Sequence, residues 1–359
     1  MTGLRLLADD LTGALDAAAR FVPIAGPVPA VWKPQAALGW PAAIDSGTRH
    51  LPEHTALSRL ALLAAVLDDA EPAFKKIDSL LRGHVAAELA ACLDGFDHCV
   101  IAPAFPAQGR VTAGGRQFRA DGGTWREVGL DLPAALAARG VAARLCRPGD
   151  IAPEGVSLWD AETEADLDRV AAEGRVLGGR VLWCGCAGLA GALAGHAPVP
   201  CPVLPGPILA LIGSDHPVSV GQLSAAWKQV HRIAQGSAEE AAPIARRLAQ
   251  GNAAVAVVVP PGASRVAAGN VIGERFARLL AALDRPGTLV VSGGETLRGV
   301  CDALGAAMLE VDGELSPGVP TSLLRGGRWH GLRVVSKSGA FGGSDWLARL
   351  LAHPRDGES

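Results

Sequence analysis

The feature that most constrains this chain is a recurrent alternation of short apolar runs with amphipathic helical stretches, sustained along nearly its whole length. Apolar runs at 3–8, 72–77, 98–102, 156–159, 180–184, 208–212, 254–259, 288–291 and 331–336 read as strands. Periodic stretches at 11–21, 55–68, 84–94, 163–173, 187–195, 217–229, 238–250, 270–284, 295–304 and 344–352 read as helices. A strand that returns through a helix to the same sheet makes that sheet parallel and covers both of its faces. The expected fold class is α/β: two domains, each a mainly parallel sheet with helices on both faces, and an active-site cleft between them.

A chain of 359 residues suits two domains, and with 49% apolar and 19% charged residues each half can bury a core. The run Pro198-Val-Pro-Cys-Pro-Val-Leu-Pro-Gly-Pro207 suits neither a helix nor a central strand. It divides residues 1–200 from residues 206–359.

Charge and aromatic content exclude several partners. A net charge of −3 leaves no basic footprint for nucleic acid or an anionic membrane, and 4% aromatic residues with no Tyr supply no stacking platform. Val181 to Ser214 is free of formal charge, but its prolines and glycines leave no apolar span of ~18 residues. Asp9 and Asp10 interrupt the first apolar stretch, where a secretory signal would need to continue. The seven cysteines are scattered, and the Cys184-Gly-Cys186 pair has no second half to complete a zinc set. Pro52 between His50 and His54 argues against a shared metal-binding helix face, so no metal ligand is assigned. A reduced, cytoplasmic protein is expected.

Two constellations in the first half carry charge to strand ends, where parallel α/β sheets bind ligands. In Leu6-Leu-Ala-Asp-Asp-Leu-Thr-Gly-Ala14, one aspartate suffices to cap the following helix. The second, adjacent and like-charged, must face a hydroxyl substrate, a metal ion or a basic partner. In Phe74-Lys-Lys-Ile-Asp-Ser-Leu-Leu-Arg-Gly-His84, cations that suit a carboxylate ligand crowd one strand-to-helix turn. Only five of the 33 basic residues are lysines, which marks Lys75, Lys76 and Lys337. Strand alternation sends Lys75 and Lys76 to opposite faces, so at most one points at the site. Ile44-Asp-Ser-Gly-Thr-Arg49 and Ala102-Pro-Ala-Phe-Pro-Ala-Gln-Gly-Arg110 are further small or polar strand-end segments.

In the second half charge gives way to glycine. Val290-Val-Ser-Gly-Gly-Glu-Thr296, Val335-Ser-Lys-Ser-Gly-Ala-Phe-Gly-Gly343 and Ile212-Gly-Ser-Asp215 each place small residues after a strand. Such turns admit a close ligand and aim free N–H groups at an anion, so together they read as a polyphosphate cradle. Neither a Walker-type G-x-x-x-x-G-K-[ST], nor G-x-G-x-x-G, nor a G-x-S-x-G elbow is present.

Taken in order, Ala8–Ala14, Lys75–Ser79 with Leu81-Arg-Gly83, Ala102–Pro106 with Gly109-Arg110, Ser292–Thr296 and Lys337–Gly342 resemble the four-carbon acid sugar kinase family. Asp160–Asp166 and Cys186–Ala190 also match its pattern. The resemblance implies an acid-sugar domain at 1–200 and an ATP domain at 206–359. It places Asp9, Asp10, Arg49 and the turn Lys76, Asp78 and Ser79 on substrate-binding motifs, to which the cationic turn itself adds Lys75 and Arg82 as substrate-binding candidates. It places Ser214, Gly293, Gly294, Glu295, Thr296 and Gly339 on nucleotide-binding motifs, and the turn that holds Gly339 adds Lys337 and Gly342 as candidates. Departures fall on the substrate side: Asp78-Ser-Leu-Leu-Arg-Gly-His84 stands where the family has Asp-Ser-Thr-Leu-Arg-Gly-Asn. An Asn before the Arg of the third motif is replaced around Ser46–Arg49, and the stretch near Gly114–Trp125 is compressed.

The implied reaction is ATP-dependent phosphorylation of the terminal (C4) hydroxyl of D-threonate, D-erythronate or 3-oxo-tetronate. ATP and Mg²⁺ would be used, and a homo-oligomer is compatible. Asp9, Asp10 and Asp78 are the candidate catalytic carboxylates, and Lys337 would neutralise phosphates. The competing readings are an oxidoreductase or lyase on similar hydroxy acids, and an inactive acid-sugar-binding module.

Overall fold

The computed structural model describes residues 3–33, 39–195, 197–201, 203–259, 262 and 264–352. Pro202 of the proline-rich run, and both outer ends of the expected domains, therefore lie outside the described residues. Two compact units form, Met1–Val199 and Pro200–Ser359.

The first unit contains β1 (Arg5–Ala8), β2 (Val28–Val31), β3 (Ala42–Asp45), β4 (Ala73–Lys76), β5 (His98–Ala102), β6 (Arg110–Ala113), β7 (Arg116–Asp121), β8 (Thr124–Glu127), β9 (Ala143–Cys146), β10 (Gly155–Trp159) and β11 (Val181–Gly185). Its main sheet runs β2-β3-β1-β4-β11-β5-β10-β9 with every pair parallel. The helices α1 (Leu11–Ala25), α2 (Glu53–Leu63), α3 (Val85–Cys92), α4 (Leu132–Ala137), α5 (Glu164–Arg175) and α6 (Ala187–Ala194) make the crossovers. Central strands such as β1 and β4 are buried along their whole length, as strands covered on both faces must be. Phe21 of α1 meets Phe74 of β4 edge-on at 5.4 Å, which ties helix to sheet. Strands β6, β7 and β8 form a separate antiparallel meander. Its two hairpins turn on Gly114-Gly115 and Gly122-Gly123, all four at positive φ, as tight two-residue turns require.

The second unit contains β12 (Ile208–Ile212), β13 (Val230–Ile233), β14 (Ala253–Val257), β15 (Thr288–Ser292), β16 (Met308–Ser316), β17 (Val319–Arg325) and β18 (Arg333–Lys337). Their order is β13-β14-β12-β15-β18-β17-β16, parallel as far as β18 and then antiparallel. Helices α7 (Pro217–Ala225), α8 (Ala238–Gln250), α9 (Arg265–Ala281), α10 (Gly294–Ala303) and α11 (Trp346–Leu351) accompany it. Ile208, Ala210 and Ile212 of β12 pack with Val290, Val335, Leu347 and Leu351 in one core cluster.

The α/β class and the mainly parallel sheets are as expected. Helix starts follow their caps: Thr163 with Asp166 and Ser237 with Glu240 close reciprocal capping boxes at α5 and α8. Strands β2, β9 and β13, the meander and the β16–β17 hairpin were not anticipated. All but β2 mix polar with apolar residues and so lack the continuous apolar run of a central parallel strand, and the short apolar run of β2 is interrupted by Pro29.

Candidate active site

In the first unit, the register Ala8↔Asp45 and Ala8↔Lys76 brings the ends of β3, β1 and β4 level. The residues that follow these strands therefore gather. Arg49 sits at the centre. Its Nε and Nη2 donate to the two carboxylate oxygens of Asp9, each at 2.7 Å, and its Nη1 lies 2.8 Å from Asp10. Asp78 lies 3.6 Å from Arg49 and takes two bonds from the Arg82 guanidinium, at 2.8 and 2.7 Å. The Leu80 and Arg82 backbone N–H groups also donate to Asp78.

Burial sets the electrostatics. Desolvation alone would push the Asp9 and Asp78 carboxyls up, but Arg49 on Asp9, and Arg82 with Arg49 on Asp78, hold both below the usual carboxylate range. Desolvation works against the Arg49 charge too, yet Asp10, Asp9 and Asp78 raise it well above its ordinary value. Asp10 caps α1: it accepts from the Gly13 N–H at 2.9 Å and from the Thr12 hydroxyl at 2.7 Å. The adjacent aspartates thus divide their work, Asp10 as cap and Asp9 as the bidentate partner of Arg49.

The two lysines part as strand alternation requires. Lys76, almost fully buried, donates to the Ile77 carbonyl at 2.8 Å, and its Nζ lies 3.4 Å from where a Cβ on Gly13 would stand. Lys75 goes to the opposite face and is fully buried in a 2.6 Å ion pair with Glu88 of α3. Burial disfavours its charge, but Glu88 more than compensates, so Lys75 stays an ammonium inside the core. Its expected substrate contact is therefore corrected: the ammonium is taken up by Glu88, on the sheet face opposite Lys76. Ser79 is half-buried, and its carbonyl accepts from Gln117 at 2.9 Å. Gln117, buried on β7 and also accepting from Thr112, was not singled out from sequence because no motif surrounds it.

In the second unit, Ile212 pairs with Ser292 and Ser292 with Lys337, so three glycine-bearing turns leave the sheet side by side. They touch. A Cβ on Gly339 would stand 1.9 Å from Ser214 Oγ, and one on Gly213 would stand 2.0 Å from Thr296 Oγ1. Gly293 takes φ +109° at the start of α10 and offers no side-chain cap, so the first N–H groups of that ten-residue helix remain available to an anion. Ser219 donates to the Gly339 carbonyl at 2.9 Å and fixes the third turn. Ser214, Gly293, Gly294, Thr296 and Gly339 are thus brought together, with Glu295 exposed on the first turn of α10. This arrangement fits the phosphates of a nucleotide.

One expected nucleotide contact is revised. Lys337 is fully buried, and its ammonium donates to the Ser338 and Phe341 carbonyls, both at 3.0 Å. It braces the loop instead of presenting charge, and burial lowers its pKa to about 8. Gly342, at positive φ, lies beside Gln222 and Trp346.

Residues 4–128 match a sequence family described as a sugar-binding N-terminal domain, and residues 209–347 one described as a nucleotide-binding C-terminal domain. A D-threonate kinase of Cupriavidus necator is 35% identical over 94% of this chain and 94% of its own length. The chain belongs to the four-carbon acid sugar kinase family. A D-threonate kinase of Bordetella bronchiseptica is 29% identical over 98% of this chain and 97% of its own. A crystal structure from Salmonella typhimurium LT2, 21% identical, shares the fold with a TM-score of 0.73 over 98% of this chain and 99% of its own. Membership of the kinase family makes the chain a phosphotransferase with an alcohol group as acceptor. Among the described residues no helix is long and apolar enough to cross a membrane.

Proposed function

We propose that the protein moves the γ-phosphoryl group of ATP to the C4 hydroxyl of a four-carbon acid sugar. D-threonate is the first candidate, because the Cupriavidus necator relative of that name matches end to end at 35% identity. D-erythronate and 3-oxo-tetronate follow. The observation that carries the reading is the register of β12, β15 and β18, which packs three glycine turns around the uncapped start of α10. Backbone N–H groups at such a site bind phosphate oxygens with little reorganisation.

Residues 206–359 supply the ATP side and residues 1–200 the acid-sugar side. Arg82, with its side chain 48% exposed, keeps N–H donors beyond the two used on Asp78 and suits the sugar carboxylate. Lys76 and Ser79 line the same turn. Asp9, Asp10 and Asp78 hold Arg49 and Arg82 in place, and at Gly13 a side chain would meet Asp10 at 2.5 Å and Lys76 at 3.4 Å, so only glycine lets these charges close up. Mg²⁺ would neutralise and orient the phosphates it accompanies. Among the described residues no three His, Cys, Asp or Glu gather into a metal site. The triphosphate oxygens would therefore supply most of its ligands, with Glu295 the carboxylate on the first turn of α10.

A coupled assay for ADP across C4 to C6 sugar acids tests this reading. It should show ADP release that depends on a four-carbon acid and equals the phosphorylated acid formed. Nucleotide binding with no acid-dependent ADP release would overturn it in favour of an inactive binder. A change at the nicotinamide absorbance band would favour the oxidoreductase.

A further inference from the structure

Phosphoryl transfer to an alcohol needs a base with an open lone pair facing the hydroxyl. In the first unit, the three carboxylates of the charged cluster have little to offer. Both oxygens of Asp9 are held by Arg49, both oxygens of Asp78 by donors of the turn, and both oxygens of Asp10 by Gly13, Thr12 and Arg49. A fourth carboxylate differs. Asp16 lies on α1 three residues after Gly13 and four before Arg20, so all three share one helix face. It is 7% exposed, and its Oδ1 is buried without a hydrogen-bond partner. Its sequence neighbours Ala14, Leu15, Ala17 and Ala18 are all fully buried, so the carboxyl has no cause to be there as a solvated surface group. A buried carboxylate oxygen with no partner calls for a group to answer it, and a bound hydroxyl is such a group.

The groups that face it fit the same ligand. Lys76 from β4, Arg20 on α1 and Arg110 from β6 act favourably on its charge, while Asp10 opposes it. Cys186, at the start of α6, feels both Lys76 and Asp16 and is pushed up to about 12 by burial, so it stays a neutral thiol beneath them. Burial outweighs the cations, and the Asp16 carboxyl is raised above the ordinary Asp value. A base that is raised and unpaired takes a proton more readily than one locked to a guanidinium.

We propose that Asp16 is the proton acceptor for the sugar-acid hydroxyl, with Lys76 among the cations that act on it. This rests on the kinase reading above. The C4 oxygen forms the new bond to the γ-phosphorus, and the bond from that phosphorus to the β–γ bridging oxygen breaks and releases ADP. The hydroxyl proton passes to an Asp16 oxygen and is then lost to water.

The test compares wild type with Asp16→Asn in steady-state turnover with the sugar acid and in calorimetric binding of ADP and of the acid. Asp16→Asn should lower kcat by ~10²–10⁴-fold, with both binding constants within about 3-fold of wild type, and with melting unchanged or raised because a buried charge is gone. Turnover within about 3-fold of wild type would overturn the assignment. Should the variant not fold, the wild-type pH profile decides: the acidic limb of kcat/KM should lie above about 4, the ordinary Asp value, and a limb at or below it would overturn the assignment. If wild type itself shows no acid-dependent ADP release, the kinase reading is what fails, and the two failures are thereby distinct.

Discussion

Arg49 is the residue on which the first site turns, because one side chain faces three carboxylates and is itself only 8% exposed. Arg49→Met keeps the volume and removes the charge, so Asp9 and Asp10 would share a buried space with no cation between them. Losing one partner of a buried ionic group costs about 3–5 kcal/mol. A lower melting temperature at pH 7, with much of the loss recovered at acid pH where the carboxyls protonate, is the expected calorimetric outcome; an unchanged melting curve would contradict it. The wild type should behave in the opposite sense. Asp9 and Asp78 are held below their unfolded values, so the stability they contribute is present above ~pH 4 and is lost as the pH falls. Asp16 is raised and works against this, since its protonated form favours the folded state. Melting followed from pH 7 downward should therefore fall below ~pH 4, and a flat profile would count against the cluster. Much of this site was legible in the sequence. The adjacent aspartates announce a cap and a partner, and strand alternation separates Lys75 from Lys76. Asp16 carries a quieter signal, a lone carboxylate among alanines and leucine, which a helical pattern alone does not distinguish from an exposed position.

The glycine turns act as elements and must be tested as such. Gly339→Ala would place a methyl 2.7 Å from the Ser214 Cβ as well as against its hydroxyl, so no rotation of Ser214 relieves the clash. The turns after β12 and β18 would be forced apart. The KM for ATP should rise at least about 10-fold, the equivalent of ~1.4 kcal/mol, with the sugar-acid KM little changed. Adding Ser214→Gly should recover part of the loss, and an unaltered KM for ATP in the single variant would remove Gly339 from the phosphate site. Strand ends and glycines were readable here because a parallel sheet advertises its central strands as apolar runs. The β16–β17 hairpin and the β6–β8 meander were not, since their sequences mix polar and apolar residues, and their turns rest on glycines at positive φ, Gly318 in the hairpin and the pairs 114–115 and 122–123 in the meander. The role of Lys337 escaped for a different reason. A lysine after a strand looks the same in sequence whether its ammonium reaches a phosphate or, as here, two carbonyls of its own loop.

For the whole molecule, the two proposed sites predict separate ligand footprints. ADP alone should slow amide hydrogen exchange around 213–216, 293–296 and 338–341, and a four-carbon acid alone around 9–16, 46–49 and 78–83. A ligand present at 100 times its Kd stabilises the folded chain by about 2.7 kcal/mol, enough to read in each case. Exchange measured by mass spectrometry with each ligand in turn checks this, and a reversed pattern would exchange the roles of the two units. One short strand carries a consequence for the whole fold. Strand β4 has four residues, and its last two send one ammonium to Glu88 and the other toward Gly13. Sliding it by a single position against β1 and β11 would trade those destinations, stranding Glu88 without its counter-ion and emptying the pocket of its own. The lysine doublet thus works as a vernier for the sheet. Insertions and deletions can accumulate in the loops on either side, but within residues 73–76 not one should be tolerated.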